Sequence, residues 1–345
     1  MHPIQPLFAA IPAGHALPRG NDGGVKPARL IALLTQLQNE IQQRVITSRR
    51  RGAKMSRVAT VTSADTIYAV DKLGERAVLA WFARHWPKSE PVELVMEGLE
   101  DHGAVVFPRS TPVARTKWKC ILDPIDGTRG LMYDKRSAWS LAALAPQHGS
   151  RTNLSDIVIA VMTELPTSKA GFVDQLSAVR GGGVHAKRVD LRTGREKQFT
   201  PRPSRATTLA HGFASFAKFF PAAKAWIAAR EERFLRAVGA GPDVFDDQYL
   251  SSAGQLYELL MGRDRLVADI RPLAFKATKA RGALPCHPYD LCTALIAQEA
   301  GCVVESPDGR PLHAPLDTTT PVAWVGYANR ALAGRLRPKL RRVLG

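Results

Sequence analysis

Between Pro91 and Leu191 the chain writes one short apolar stretch after another, each cut by proline, glycine or charge before a helical period can establish itself. "PVELVMEGLED" reads as a strand ending in acid. "TKWKCILD", "RSAWSLAALAP" and "DIVIAVMTEL" read as further strands, and "AGFVDQLSAVRGGGVHAKRVDL" as a hairpin about a triple glycine. Upstream the period changes to that of a helix. From Ala28 to Arg49, Leu30, Leu33, Leu34, Leu37, Ile41 and Val45 recur at helical spacing. A second helix is predicted from Ala69 to His85, with Leu73, Ala77, Ala80, Trp81 and Arg84 on one side, and with Asp71 and Glu75 sharing a face. The first half is thus a helix pair followed by a sheet of mostly consecutive strands.

The pattern shifts after the proline-rich "TPRPSRATT" near residue 201. "LAHGFA" fits a short strand, "AAKAWIAAREERFLRAV" a helix, and "SSAGQLYELLMG" a helix opened by capping serines. "DRLVADI" is a strand, "DLCTALIAQEAG" a helix closed by Gly301, and "CVVES" and "PVAWVGYA" are strands before a last helix from Asn329. Strands alternating with helices point to an α/β second half. The expected organisation is a flexible Pro/Gly-rich arm over residues 1–25, an α+β domain over 26–200 and an α/β domain over 201–345.

Composition narrows the class. A chain of 345 residues with 45% apolar content fills a real core. It has no apolar run of membrane-spanning length, and its first residues lack the early positive charge of a secretory signal, so a soluble cytoplasmic protein is expected. Cys120, Cys286, Cys292 and Cys302 sit in apolar surroundings without paired spacing, as reduced core cysteines do. The net charge of +17 favours anionic partners, either a phosphorylated metabolite or nucleic acid. Two basic runs, Arg49 to Arg57 and Arg335 to Arg342, read as solvated helix ends, and neither carries the aromatics of a single-strand binder.

The chemistry concentrates in "ILDPIDGT", residues 121–128. The strand is expected to stop at Asp123, with Pro124 stiffening the turn. Asp123, Asp126 and the carbonyl of Ile125 then converge as three hard oxygens suited to Mg2+. Gly127 permits close backbone approach, and Thr128 offers a hydroxyl at a helix start, where free amides attract anions. A bare pair of acids at this spacing more commonly makes a turn and a cap.

The whole octet resembles the signature of the inositol monophosphatase family, in the superfamily that also holds fructose-1,6-bisphosphatases and nucleotide 3'(2')-phosphatases. "PYDLCTALIAQEAGCVV" is similar to that family's second signature, "VDKLGE" to its helical Asp motif, and "LVMEG" to its first metal-binding Glu. The resemblance covers roughly residues 28 to 335. It implies a layered αβαβα fold and Mg2+-dependent, lithium-sensitive hydrolysis of a phosphomonoester by a homodimer. Carried over, the metal ligands are Glu97, Asp123, Ile125 through its carbonyl, Asp126 and Asp290. Asp71, Glu97 and Thr128 become catalytic, and Asp126, Gly127, Thr128 and Asp290 bind substrate. The sequence departs from the pattern in four places. Gly98 follows Glu97 where the family has a second acid, which leaves Glu100 as an alternative ligand. Tyr289 replaces a Trp, Arg57 only roughly matches a Lys, and "RPLAFKATKARGALPCHP" before Asp290 is long and basic.

Three function classes follow: a phosphatase of an inositol monophosphate-like metabolite, a 3'(2'),5'-bisphosphate nucleotidase or other bisphosphate phosphatase, and a non-catalytic polyanion- or nucleic-acid-binding protein on the same scaffold. "GGGVHAKR" opens no helix and is read as a hairpin turn, not a phosphate loop, and Cys286 and His287 lack the partners of a zinc site.

Overall fold

A computed structural model describes the backbone of residues 25–50, 58–61, 66–99, 104–281 and 283–345. Residues 1–24 of the expected N-terminal arm, most of the first basic run, Glu100 and Asp101 lie outside the described residues, as do the side chains of residues 50–74, Asp71 among them.

The chain opens with α1 (Pro27–Arg50), the β1 (Val58–Val61) and β2 (Thr66–Tyr68) ribbon, and α2 (Ala69–His85). Then come β3 (Val92–Met96), β4 (Val105–Phe107), β5 (Trp118–Asp126), the single-turn α3 (Thr128–Met132), β6 (Ala138–Pro146), β7 (Ile159–Leu165), β8 (Phe172–Val179), β9 (Val184–Asp190) and β10 (Glu196–Phe199). Strands β3 to β10 form one eight-stranded sheet in the order β10-β9-β8-β7-β6-β5-β3-β4, antiparallel except where β3 runs parallel to β5.

The rest supplies β11 (Gly212–Phe216), α4 (Lys224–Val238), β12 (Val244–Phe245), α5 (Ser252–Leu260), β13 (Asp264–Asp269) and α6 (Arg271–Thr278). It closes with a tight turn at Pro288–Leu291, α7 (Ala294–Glu299), β14 (Val303–Glu305), β15 (Trp324–Tyr327) and α8 (Arg330–Leu344). Its five strands form a second sheet, β12-β11-β13-β15-β14.

Five layers result. Leu30, Leu34, Leu37 and Ile41 of α1, with Val78, Trp81 and Phe82 of α2, cover one face of the large sheet through Cys120, Leu122, Ala142 and Val161. The alternate residues Ile121, Leu141, Ala143 and Met162 face α5 and α7, which also pack on Val267, Val304 and Trp324 of the second sheet. The far face of that sheet carries α4, α6 and α8 through Phe216, Leu266 and Tyr327. This is the expected αβαβα sandwich. Because β5 to β7 are buried on both faces, they read as continuous apolar runs, not as alternating ones.

Two local expectations need correction, and one segment without an expected element gains one. The strand β5 does not stop at Asp123: it stays paired with β6 as far as Asp126 opposite Trp139, with Pro124 and Ile125 absorbed in a local irregularity. The inward face of α2 is set by Val78, Trp81 and Phe82, whereas Ala80 and Arg84 are exposed, since two adjacent rings outweigh a stripe of alanines. The basic insertion before Asp290 begins as a helix, α6.

Candidate active site

The two halves of the chain meet at the end of β5. Asp123, Asp126 and Asp290 bring carboxylate oxygens within 4.8 Å of one another. Asp123 and Asp126 are buried, and Asp290 lies in the turn at Pro288–Leu291, held by the His287 N–H donating to its Oδ2 at 2.6 Å. One residue beyond the parallel register that ends at Met96 opposite Leu122, Glu97 reaches the level of Asp123.

The electrostatics are those of a site short of positive charge. Burial, then the charges of Glu97, Asp126 and Asp290, push the Asp123 carboxyl well above the usual carboxylate range. Burial raises Asp126 to about 6, although it accepts hydrogen bonds from the Ala253 N–H at 2.7 Å and the Ser251 hydroxyl at 2.8 Å. Burial and the Asp126 charge raise Asp290 to about 8. A buried cation whose charge reaches Asp126 and Asp290 is already engaged: Arg271 grips Asp269 through Nε and Nη2 at 2.6–3.0 Å and donates from Nη1 to the Leu284 carbonyl at 2.8 Å. Carboxylates that face each other, held by neutral donors and offset only in part by the charge of Arg271, match an all-oxygen site for a hard divalent cation such as Mg2+.

The turn itself is built by backbone chemistry. Asp123 Oδ1 accepts the Ile125 N–H at 2.9 Å, and the Thr128 hydroxyl donates to the Ile125 carbonyl at 2.8 Å. Gly127 has φ 96°, and a Cβ there would stand 3.0 Å from the Ser251 Cβ and 3.3 Å from the Leu250 carbonyl oxygen. Both its left-handed conformation and the close approach of the second half exclude a side chain. Thr128 opens α3 directly after it.

Of the sequence-derived residues, the fold gathers Glu97, Asp123, Ile125, Asp126, Gly127, Thr128 and Asp290 at one strand end. Asp71 is placed in the first turn of α2, with its side chain outside the described residues. Sequence reasoning missed three contributors. Ser251 and the amide of Ala253 hold Asp126 at the start of α5; "SSAG" signals a cap, but not which distant acid the helix terminus serves. Glu75 of α2 brings a carboxylate oxygen to 3.7 Å from where a Gly98 Cβ would be, so an acid from the neighbouring helix approaches the position where the family carries its second acid. Arg271 sits against the rings of Phe219 and Phe220, with Arg129 over the far one at 5.6 Å, forming a wall beside the acids. All four cysteines are free and buried, in keeping with a core role.

No family model and no curated protein matches the sequence. Solved structures do match, across the chain. The extragenic suppressor protein SuhB from Bartonella henselae aligns over 92% of this chain and 98% of its own, with a TM-score of 0.61 at 18% identity. Fructose-1,6-bisphosphatase of Leishmania major aligns over 94% and 96%, with a TM-score of 0.66 at 15% identity. An IMPase of Thermotoga maritima aligns over 92% and 100%, with a TM-score of 0.59 at 15% identity. The structural neighbours are thus inositol monophosphatase, fructose bisphosphatase and SuhB proteins, and the chain has their fold.

Proposed function

We propose that this chain, built on the sugar-phosphatase fold, is a Mg2+-dependent phosphomonoesterase that hydrolyses a small phosphorylated metabolite of the inositol monophosphate kind. The observation that carries the reading is the uncompensated Asp123, Asp126 and Asp290 cluster, assembled from both halves of the chain beside Gly127 and Thr128. Glu97, Asp123, the Ile125 carbonyl, Asp126 and Asp290 would hold the metal. When bound, Mg2+ supplies a Lewis acid that lowers the pKa of water and neutralises phosphoryl oxygens. Thr128 and Asp71 position the attacking water and hold its proton, and the amides at the start of α3 orient the phosphate in line with it. Ser251 and the α5 amides keep Asp126 in place through turnover. Lithium inhibition, a homodimer and a cytoplasmic location belong to the same reading.

A bisphosphate substrate, such as that of a 3'(2'),5'-bisphosphate nucleotidase, is the second reading. Its support is α6 and the segment after it, whose exposed Lys276, Lys279 and Arg281 precede the Asp290 turn in the chain. Both readings are tested by phosphate release from inositol 1-phosphate, fructose 1,6-bisphosphate, 3'-phosphoadenosine 5'-phosphate and histidinol phosphate, with and without Mg2+. Mg2+-dependent release from at least one, lost in Asp290→Asn, is expected. Silence across the panel, with salt-sensitive binding to nucleic acid, overturns the enzyme in favour of a polyanion-binding protein.

A further inference from the structure

The acids at the end of β5 are not the only charged recess on that face of the large sheet. The register places Asp126 opposite Trp139 and Trp139 opposite Glu164, so three neighbouring strands present one row of side chains toward α5. Asp126 belongs to the acid cluster. At the other end of the row, Glu164 lines a cavity of about 400 Å3, within the roughly 300–1,000 Å3 range of small-molecule sites. Trp139 separates the two.

The cavity is lined by four cationic side chains, Lys135, Arg136, Arg188 and Arg263. Three of them are held by partners that use only part of their donors. Arg188 spends Nε and Nη2 on buried Asp174, each at 2.7 Å. Arg136 gives Nη2 alone to Asp247, and Arg263 gives Nη1 alone to Glu258 at 3.0 Å. The guanidinium of Arg136 also lies 4.9 Å from the Tyr249 ring centre, and that of Arg263 lies 5.3 Å from the Tyr257 ring centre. Ring and carboxylate thus fix each plane while leaving N–H groups directed elsewhere, which is preorganisation for a planar or tetrahedral anion. Lys135 is exposed and adds a mobile ammonium. Glu164 also lines the cavity; burial pushes its carboxyl up, and it accepts the Asp174 N–H at 3.1 Å.

We propose that this cavity is an effector site for a small metabolite carrying two or more carboxylate or phosphate groups, separate from the acid cluster and coupled to it through α5. The coupling path is short. Trp139 Nε1 donates to the Tyr249 hydroxyl at 3.2 Å, and that hydroxyl donates to the Ser137 carbonyl at 2.8 Å. Tyr249 precedes Ser251, the residue that holds Asp126, by two positions, and Tyr257 stands one turn along the helix whose first amides hold the same acid. An anion that draws Arg136 and Arg263 inward therefore acts on both supports of Asp126.

The test is calorimetric titration of the full-length protein in EDTA with sodium citrate and, separately, sodium pyrophosphate, at matched ionic strength. Saturable binding of one of them is expected, and which one binds tells a carboxylate site from a phosphate site. The Lys135→Ala/Arg263→Ala variant should weaken it by about tenfold or more, Arg263→Lys should recover part of the affinity, and Asp290→Asn should leave it unchanged. A melting curve confirms that the variants are folded, which their exposed side chains favour. Absence of saturable binding by either anion overturns the proposal. So does an affinity indifferent to the double variant, or one lost in Asp290→Asn, which would place the anion at the acids.

Discussion

Two groups of carboxylates lie one tryptophan apart beside the same face of the large sheet, contributed by its strands, by α5 and by the Asp290 turn, and their surroundings are opposite. Asp174 has Arg188 on both oxygens, and Glu258 has Arg263. Asp123, Asp126 and Asp290 have each other. The carboxylates of the first arrangement have their counter-charge within the chain, while its arginines keep further N–H groups. The second is biased toward protonation, because burial raises all three carboxyls and neighbouring acid charges raise Asp123 and Asp290 further, so a cation from outside favours the charged forms. Among buried acids the presence of an internal counter-charge, not the acids themselves, separates a structural group from a binding group.

Removing one charge from each group should therefore move stability in opposite directions, and this is the largest effect expected. Asp123→Asn takes a negative charge from a repelling set while its side-chain oxygen still accepts the Ile125 N–H, so the metal-free protein should melt higher. The proposed phosphatase turnover should fall by several kcal/mol of transition-state stabilisation, roughly a thousandfold in kcat/KM. Arg188→Met leaves buried Asp174 without its counter-charge, held by the Tyr257 hydroxyl, and should cost roughly 2 kcal/mol with or without metal. Thermal melts in EDTA and in Mg2+ with phosphate-release assays check both. A metal-free Asp123→Asn protein that melts lower than its parent breaks the comparison.

The same contrast sets a pH dependence. The Asp290 carboxyl sits at about 8 in the folded metal-free protein, against roughly 4 in an unfolded chain. Between those values the unfolded state binds fewer protons, so this group lowers stability as pH rises through the window. In EDTA the melting temperature of Asp290→Asn minus that of the parent should grow from pH 4 to pH 8. Mg2+ should reverse the trend, since binding requires the ionised form and expels the proton. Calorimetry in two buffers of different ionisation enthalpy at pH 7 should therefore show net proton release on Mg2+ binding, and less in Asp290→Asn, where only Asp123 and Asp126 remain to be deprotonated. A difference that stays flat with pH would mean that Asp290 is already ionised.

How much of this was legible in the sequence depends on distance along the chain. Asp123, Ile125, Asp126, Gly127 and Thr128 are consecutive enough to be recognised together, and α1 announces itself through Leu30, Leu34, Leu37 and Ile41. The helix α6 does not, because its buried side is only Arg271 and Ala274 and so has no apolar stripe to detect. The extension of β5 to Asp126 was hidden by Pro124, whose effect on the ladder is absorbed by an irregularity only the partner strand can create. The hold of Ser251 and Ala253 on Asp126 spans more than a hundred residues. The pairing of Arg188 with Asp174 joins neighbouring strands, but no local pattern shows that Asp174 is the buried partner.

The triple glycine sharpens the comparison from a third place, with the smallest effect. Its amides form a small anion-binding turn, and the chain fills it: Gly181 and Gly183 donate to the two oxygens of Glu299 at 2.8 and 2.9 Å, tying the β8–β9 hairpin to the end of α7. The carboxylate here is satisfied internally, as in the Arg188 pair, so the turn is structural and has no vacancy for phosphate. Glu299→Ala should lower stability by about 1 kcal/mol, the usual worth of such bonds at a partly exposed site, and should leave the Mg2+ dependence of phosphate release unaltered. Phosphate titrated against this variant in EDTA should bind no better than to the parent. Phosphate binding that appears only when Glu299 is gone would show that the turn's donors, once freed, are a latent anion site, and that internal satisfaction alone kept them structural.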